Sequence, residues 1–139
     1  GEPEVTEQHV RDAHEYLEQA AVEKGIQSLP LQRALALLTV TQATITGNEV
    51  AETKDLHDLY EVFCDVIDAK TISERRFRDK LNDLADSGIL SKETSGRGQG
   101  LGKTNRYELE VKVETVLDNF TDDSRIEKVI EEMLRPRME

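Results

Sequence analysis

Four helical segments in succession, two short β segments around a glycine-rich loop, and a closing helical segment predict a mainly α fold. The plan is a winged helix-turn-helix with a two-stranded β wing and flanking helices. The helices are legible from apolar residues at three- and four-residue spacing, the wing from strict alternation between Arg106 and Val113. The 139 residues suffice for one core. With 37% hydrophobic and only 4% aromatic residues, that core should be aliphatic.

The first helix is expected from Glu7 to Glu23, capped by Thr6 and ended by Gly25, with Val10, Ala13, Leu17, Ala20 and Ala21 as its stripe. The second starts at Pro30, where a missing N–H costs little, and runs to about Gln42 with Leu31, Leu35 and Leu38 on one face. The stretch from Ala43 to Glu52 reads as a connector with room for a short extended piece. Thr53 is expected to cap a third helix reaching Asp68, striped by Leu56, Leu59, Tyr60, Phe63, Val66 and Ile67. Ser73 caps a fourth to Ser87, with Phe77, Leu81 and Leu84 inward and Gly88 in the position of a C-terminal cap. The wing strands are Ile89–Thr94 and Arg106–Val113. Ser124 and Glu127 form a capping box for a last helix striped by Ile126, Val129, Ile130 and Met133. The chain divides into a connecting helix (1–28), the winged-helix domain (29–113) and a helical extension (114–139).

Charge limits the partners. The chain carries 18 Lys and Arg against 29 Asp and Glu, a net charge of −11, which by itself opposes nucleic-acid binding. The charges are segregated, however. From Ser73 to Arg106 there are eight basic and five acidic groups, a net of +3, leaving −14 elsewhere. That basic island spans the start of the fourth helix and the wing loop, as a nucleic-acid footprint should. The acidic remainder reads either as an ordinary solvated surface or as adaptation to a salt-rich cytoplasm.

Ser73-Glu74-Arg75-Arg76-Phe77-Arg78 forms the end of the fourth helix that would approach base edges in a major groove. Around that helix Arg75, Asp79, Asn82 and Asp86 lie opposite the apolar stripe, flanked by Arg76 and Arg78; arginine suits guanine edges and phosphates. The loop between the strands, Ser95 to Arg106, contains four glycines, with Arg97, Gln99, Lys103 and Arg106 supplying charge and hydrogen bonds. Such a wing suits a minor groove or a phosphate backbone. An ordinary mixed-charge helix and a loop with incidental charge are the plain alternatives. The DNA-binding candidates are therefore Ser73, Arg75, Arg76, Arg78, Asn82, Arg97, Gln99, Lys103 and Arg106.

Catalysis and metal binding have little support. Gly100-Leu101-Gly102-Lys103-Thr104 resembles the end of a phosphate-binding loop, but Arg97 stands where that motif needs glycine, and a strand rather than a helix follows. His9 and His14 point to different helix faces, and His57 with Cys64 makes only two ligands of a zinc site. No enzyme activity, catalytic residue, metal or cofactor is expected in this chain. The lone Cys64 suits a cytoplasmic protein; no run suits a membrane span, and no secretory leader opens the chain. Beginning at Gly1 rather than Met, the chain reads as a piece of something longer.

Leu29-Pro30-Leu31 opening a helix, Ser73-Glu74-Arg75-Arg76-Phe77, Leu84 followed by Ser87-Gly88-Ile89, and Gly96-Arg97 with Gly102-Lys103-Thr104 resemble a known family over about Val5 to Val113. It is the C-terminal domain of archaeal replication initiators, the cell division control protein six and origin recognition complex subunit one group. The resemblance implies a recognition helix at Ser73–Ser87 and a wing at Ser95–Arg106. It also implies double-stranded origin DNA as partner, an upstream ATPase module carrying ATP and magnesium, a replicative helicase to be loaded, and a salt-adapted archaeal source. One departure is in the wing, where the family reads Gly-Arg-aromatic-Gly-Arg-Thr: here Gly98 to Leu101 are inserted and Lys103 replaces the second arginine. A winged-helix transcription regulator and a winged-helix protein-interaction module share the fold. The short apolar stripe of the last helix disfavours the dimerising regulator.

Overall fold

The computed structural model describes residues 19–47, 51–96, 103–120 and 123–135. They form helix α1 (19–27), α2 (Leu31–Ile45), strand β1 (Ala51–Glu52), α3 (Thr53–Val66), α4 (Glu74–Asp86), β2 (Leu90–Gly96), β3 (Lys103–Leu109), α5 (Val113–Asp118) and α6 (Ser124–Leu134). The sheet is antiparallel in the order β1-β3-β2. This is the expected winged helix-turn-helix, with a third strand added.

The core forms around α2. From Ala34 to Thr41 every residue is buried, because α3, α4, α5, α6 and β3 all pack against this helix. Three threonines reach beyond the expected end at Gln42 or sit just inside it, and each bonds back along the helix: Thr39 to Ala36 O, Thr41 to Leu37 O and Thr44 to Val40 O. Their polar atoms thereby enter the interior satisfied, and the helix runs on to Ile45. Gly47, at φ +91°, then turns the chain as a side-chain-bearing residue would not. The core is less aliphatic than its composition implies: Tyr60, Phe63, Phe77, Tyr107 and Phe120, five of the six Phe and Tyr, are buried. Leu35, Leu38, Leu81 and Leu84 join them, while Leu59 packs at the margin.

Several boundaries differ from the sequence reading. Helix α1 passes through Gly25 to place Ile26, fully buried, in the core. Burying that side chain outweighs a helical glycine's penalty of about 1 kcal/mol. The expected start of this helix, Glu7 to Glu18, lies outside the described residues. Glu52, not Thr53, is the cap residue of α3, since pairing with β3 fixes Glu52 in an extended conformation and Thr53 becomes the first helical residue. The far end of α3 closes at Val66, where Asp68 takes φ +54° and the Ala69 amide donates to Cys64 O at 2.8 Å. At α6 the cap is Asp123 rather than Ser124; its Oδ1 accepts from the amides of Arg125 (2.9 Å) and Ile126 (3.4 Å). The carboxylate reaches two orphan amides where a hydroxyl would serve one.

The alternation that suggested a strand to Val113 also misleads. Strand β3 ends at Leu109 opposite Leu90, and the Glu110 amide donates to Ile89 O as the last rung. Beyond this the partner strand is exhausted, and Val113 to Asp118 turn helical to bury Val116. The last helix packs on the domain itself, burying Ile126, Val129 and Met133 against α2 and α3.

Candidate nucleic-acid interface

Helix α4 forms as its sequence dictates. Ser73 Oγ accepts from the Arg76 amide at 3.2 Å, and Gly88 at φ +82° closes the other end with Ile89 N–H on Leu84 O. Phe77, Leu81 and Leu84 are each no more than 1% exposed. Burial stabilises each by roughly 2 kcal/mol and fixes which face turns outward. Arg75, Arg76 and Asp79 are exposed there.

The turn leading into α4 is held by two side chains of α3, the buried Tyr60 and the partly buried His57. The Tyr60 hydroxyl accepts from the Ile72 amide at 3.1 Å and donates to Gln32 Oε1. His57 Nε2 meets Ile72 O at 2.9 Å, so Nε2 carries the proton. The rings of His57, Tyr60 and Phe77 lie 4.9–5.6 Å apart, centroid to centroid. Burial pushes the Tyr60 phenol well above the ordinary tyrosine range, helped by the Cys64 thiol beside it. His57 is thus a fastener of this turn. Its ring also lies within 4.8 Å of exposed carboxylates of Asp58 and Glu61, and among the described residues Cys64 is not part of that group.

The remaining DNA candidates separate on inspection. Arg78 is half-buried beside Glu74, at 3.7 Å. Arg106 lies across the β1–β3 pair from Glu52, at 3.6 Å. Asn82, which helical spacing placed on the outer face, turns inward: its Oδ1 accepts from the Tyr107 hydroxyl at 2.6 Å, tying α4 to the wing. The cause is fully buried Tyr107, whose hydroxyl needs a partner and whose phenol burial pushes up from its usual range. Lys103 begins β3 opposite Gly96. Arg97 and Gln99 lie outside the described residues. Ser73 caps α4, Arg75, Arg76 and Arg78 stand in its first turns, and Arg106 lies at the root of the wing.

A cleft of about 470 Å³ opens in that region, lined by Glu52, Thr53, Lys54, Glu74, Arg78, Thr94 and Asn105. Thr53, Lys54, Thr94 and Asn105 were not among the sequence candidates. They come from three separate elements: β2–β3 pairing brings Thr94 to Asn105, and β1–β3 pairing brings the start of α3 beside them.

Comparison with known proteins gives this arrangement a family. Residues 24–119 match the family described as CDC6, C terminal winged helix domain. The chain belongs to that family. CDC6-family relatives include an ORC1-type DNA replication protein of Thermococcus onnurineus, 31% identical over 94% of this chain and 31% of the relative. ORC1-type DNA replication protein 4 of Halobacterium salinarum is 32% identical over 88% of this chain and 30% of its own length. The chain spans about a third of the length of the relatives it matches. The Aeropyrum pernix ORC1 protein, solved in complex with DNA, has the same fold over 93% of this chain and 33% of its own, with a TM-score of 0.78 at 23% identity. Pyrobaculum aerophilum Cdc6p matches over 81% of this chain at a TM-score of 0.56.

Proposed function

We propose that this CDC6-family winged helix is the DNA-binding domain of an archaeal replication initiator that recognises origin DNA. In this reading α4 lies in a major groove and the wing rests on the adjoining backbone or minor groove. The observation that carries it is the exposure of Arg75 and Arg76 at the start of a helix whose other face is locked into the core. The relative solved with DNA supports the same partner. Arg75 and Arg76 reach base edges and near phosphates; Arg97, Gln99 and Lys103 act from the wing. Ser73 caps the reading helix, and Asn82 holds the wing to it rather than touching a base. The chain itself turns over no ATP. Within a longer initiator it works alongside an upstream ATPase module that holds ATP and magnesium, and with a replicative helicase. A second contact from that module would raise the effective concentration on DNA.

The test is binding to an origin duplex and a scrambled duplex across a salt series. Arg75→Ala should cost ~1–3 kcal/mol on the origin and relax preference at one position. Arg97→Ala should weaken both duplexes alike and flatten the salt dependence by about one unit. Wild-type affinity from both variants at every salt concentration would replace this reading with the protein-interaction module.

A further inference from the structure

In the first two turns of α4 three charged side chains are exposed: Arg75, Arg76 and Asp79. Among the described residues none of them has an ion-pair partner within 4 Å. The polar groups around them are committed. Glu74 is paired with Arg78 at 3.7 Å, and Asp83 with Arg33 at 3.2 Å. Asn82 accepts from the Tyr107 hydroxyl. The two arginines have a use in the DNA-binding reading, whereas Asp79 has none there.

Position makes that acid matter. Asp79 follows Arg75 by four residues, so the two share one line of the helix, about 6 Å apart along its axis. The line runs opposite the buried Phe77, Leu81 and Leu84 and is turned furthest from the core. A groove that admits Arg75 therefore receives the Asp79 carboxylate as well. Asp86 continues the line but stands about 16 Å from Arg75, in the last turn, away from the end nearest base edges. A carboxylate among phosphates is repelled and gives up water, so it weakens binding unless a base edge supplies a donor. Guanine turns only acceptors to the major groove, N7 and O6, and thymine only O4 and its methyl group. Adenine sets the N7 acceptor beside its N6 amino group, against the second carboxylate oxygen. Cytosine offers its N4 amino group with no acceptor beside it.

We propose that Asp79 is a specificity-determining residue: its carboxylate accepts a hydrogen bond from the N4 amino group of a cytosine, one or two base pairs from a guanine read by Arg75. The proposal rests on the DNA-binding reading and adds a base that α4 selects. The spacing agrees, because about 6 Å along the helix corresponds to between one and two base steps of roughly 3.4 Å. Much of the selection is rejection. Guanine or thymine at that position sets an acceptor against the carboxylate, and the phosphate repulsion then goes uncompensated. The acid thereby lowers affinity for wrong sequences more than for the right one, which an extra arginine at the same place would not do.

The experiment selects duplexes with the whole chain from a library carrying a randomised window, then measures affinity for the selected duplex and its single-position substitutions. Wild type, Asp79→Asn, Asp79→Ala and Arg75→Ala are compared. Wild type should enrich a cytosine close to a guanine and prefer that cytosine roughly tenfold over guanine or thymine. Arg75→Ala should lose the guanine preference, and Asp79→Ala the cytosine preference. Asp79→Asn should move the preference from cytosine to adenine, because a carboxamide pairs with adenine N6 and N7. A merely structural role would not exchange one base for another, and thermal unfolding of both Asp79 variants should match wild type because the residue is exposed. If Asp79→Ala tightens binding to every duplex alike and keeps the cytosine preference, the carboxylate only repels phosphate; the proposal fails and the DNA reading stands. If both Asp79 variants select the wild-type sequence with wild-type affinity, the residue lies outside the groove and the proposal fails in the same way. If wild type binds no duplex, both readings fall.

Discussion

Helix α3 presents polar groups at both its beginning and its middle, and the two regions treat them oppositely. In the middle, Tyr60 and His57 spend their bonds on Ile72 and Gln32, within the protein. At the beginning, the enclosed Thr53 hydroxyl makes no well-formed hydrogen bond and has only the buried Tyr107 hydroxyl beside it. Satisfied polar atoms hold the turn before α4, whereas the Thr53 hydroxyl is shut in beside Tyr107, where α3 meets the wing. The contrast lies within one helix, between residues one and two turns apart.

The two regions should respond differently to mutation. The largest effect is expected at Phe77, which the Tyr60 and His57 rings flank. Phe77→Ala should cost ~3–5 kcal/mol in denaturant unfolding, from lost burial and the cavity left behind; a loss under about 1 kcal/mol would mean that the turn does not rest on this ring. Tyr60→Phe strips a partner from the Ile72 amide and should cost ~1–3 kcal/mol. Tyr60 also gives a pH signature. Its pKa is raised in the folded state, so the stability it lends is complete below the ordinary tyrosine value of about 10 and is lost as pH climbs through the raised one. Tyr107 adds to the loss in the same direction. Alkaline unfolding of wild type and Tyr60→Phe followed side by side should show a shallower decline in the variant.

Smaller effects sharpen the contrast. Asn82→Ala deprives the Tyr107 hydroxyl of its acceptor and should cost ~1–2 kcal/mol. If duplex affinity fell in that variant without any loss of stability, Asn82 would be a DNA contact after all. The smallest change is expected at Thr53. Thr53→Val removes a buried hydroxyl with at most a weak contact to the Tyr107 hydroxyl and should change the melting temperature little. A drop comparable to that of Tyr60→Phe would show that the hydroxyl is structural.

Local chemistry made α4 legible: Ser73, the Phe77–Leu81–Leu84 stripe and Gly88 lie within one stretch of chain, and each does what its type predicts. The errors arise where distant segments decide. The short extended piece allowed for between Ala43 and Glu52 exists as β1, but its place and its partner are set by pairing with Arg106 and Tyr107. The alternation after Leu109 was genuine, but a strand needs a neighbour and β2 offers none there. The site follows the same pattern. The outward placement of Arg75 and Arg76 was legible from helical spacing. Asn82 was misplaced by a tyrosine 25 residues away, and the cleft residues carry no shared local signal.

One small element has a mechanical consequence. Among the described residues, strand β1 covers β3 only at Arg106 and Tyr107; toward the tip, Lys103 to Asn105 are paired from the β2 side alone. The wing is thus an arm with its shoulder at Tyr107, clamped between two strands and bolted to α4 through Asn82. Amide exchange should grade along it, slow at the shoulder and faster outward. Because β1 runs directly into Thr53, a load on the wing is delivered to the first turn of α3, making arm and cleft two ends of one lever.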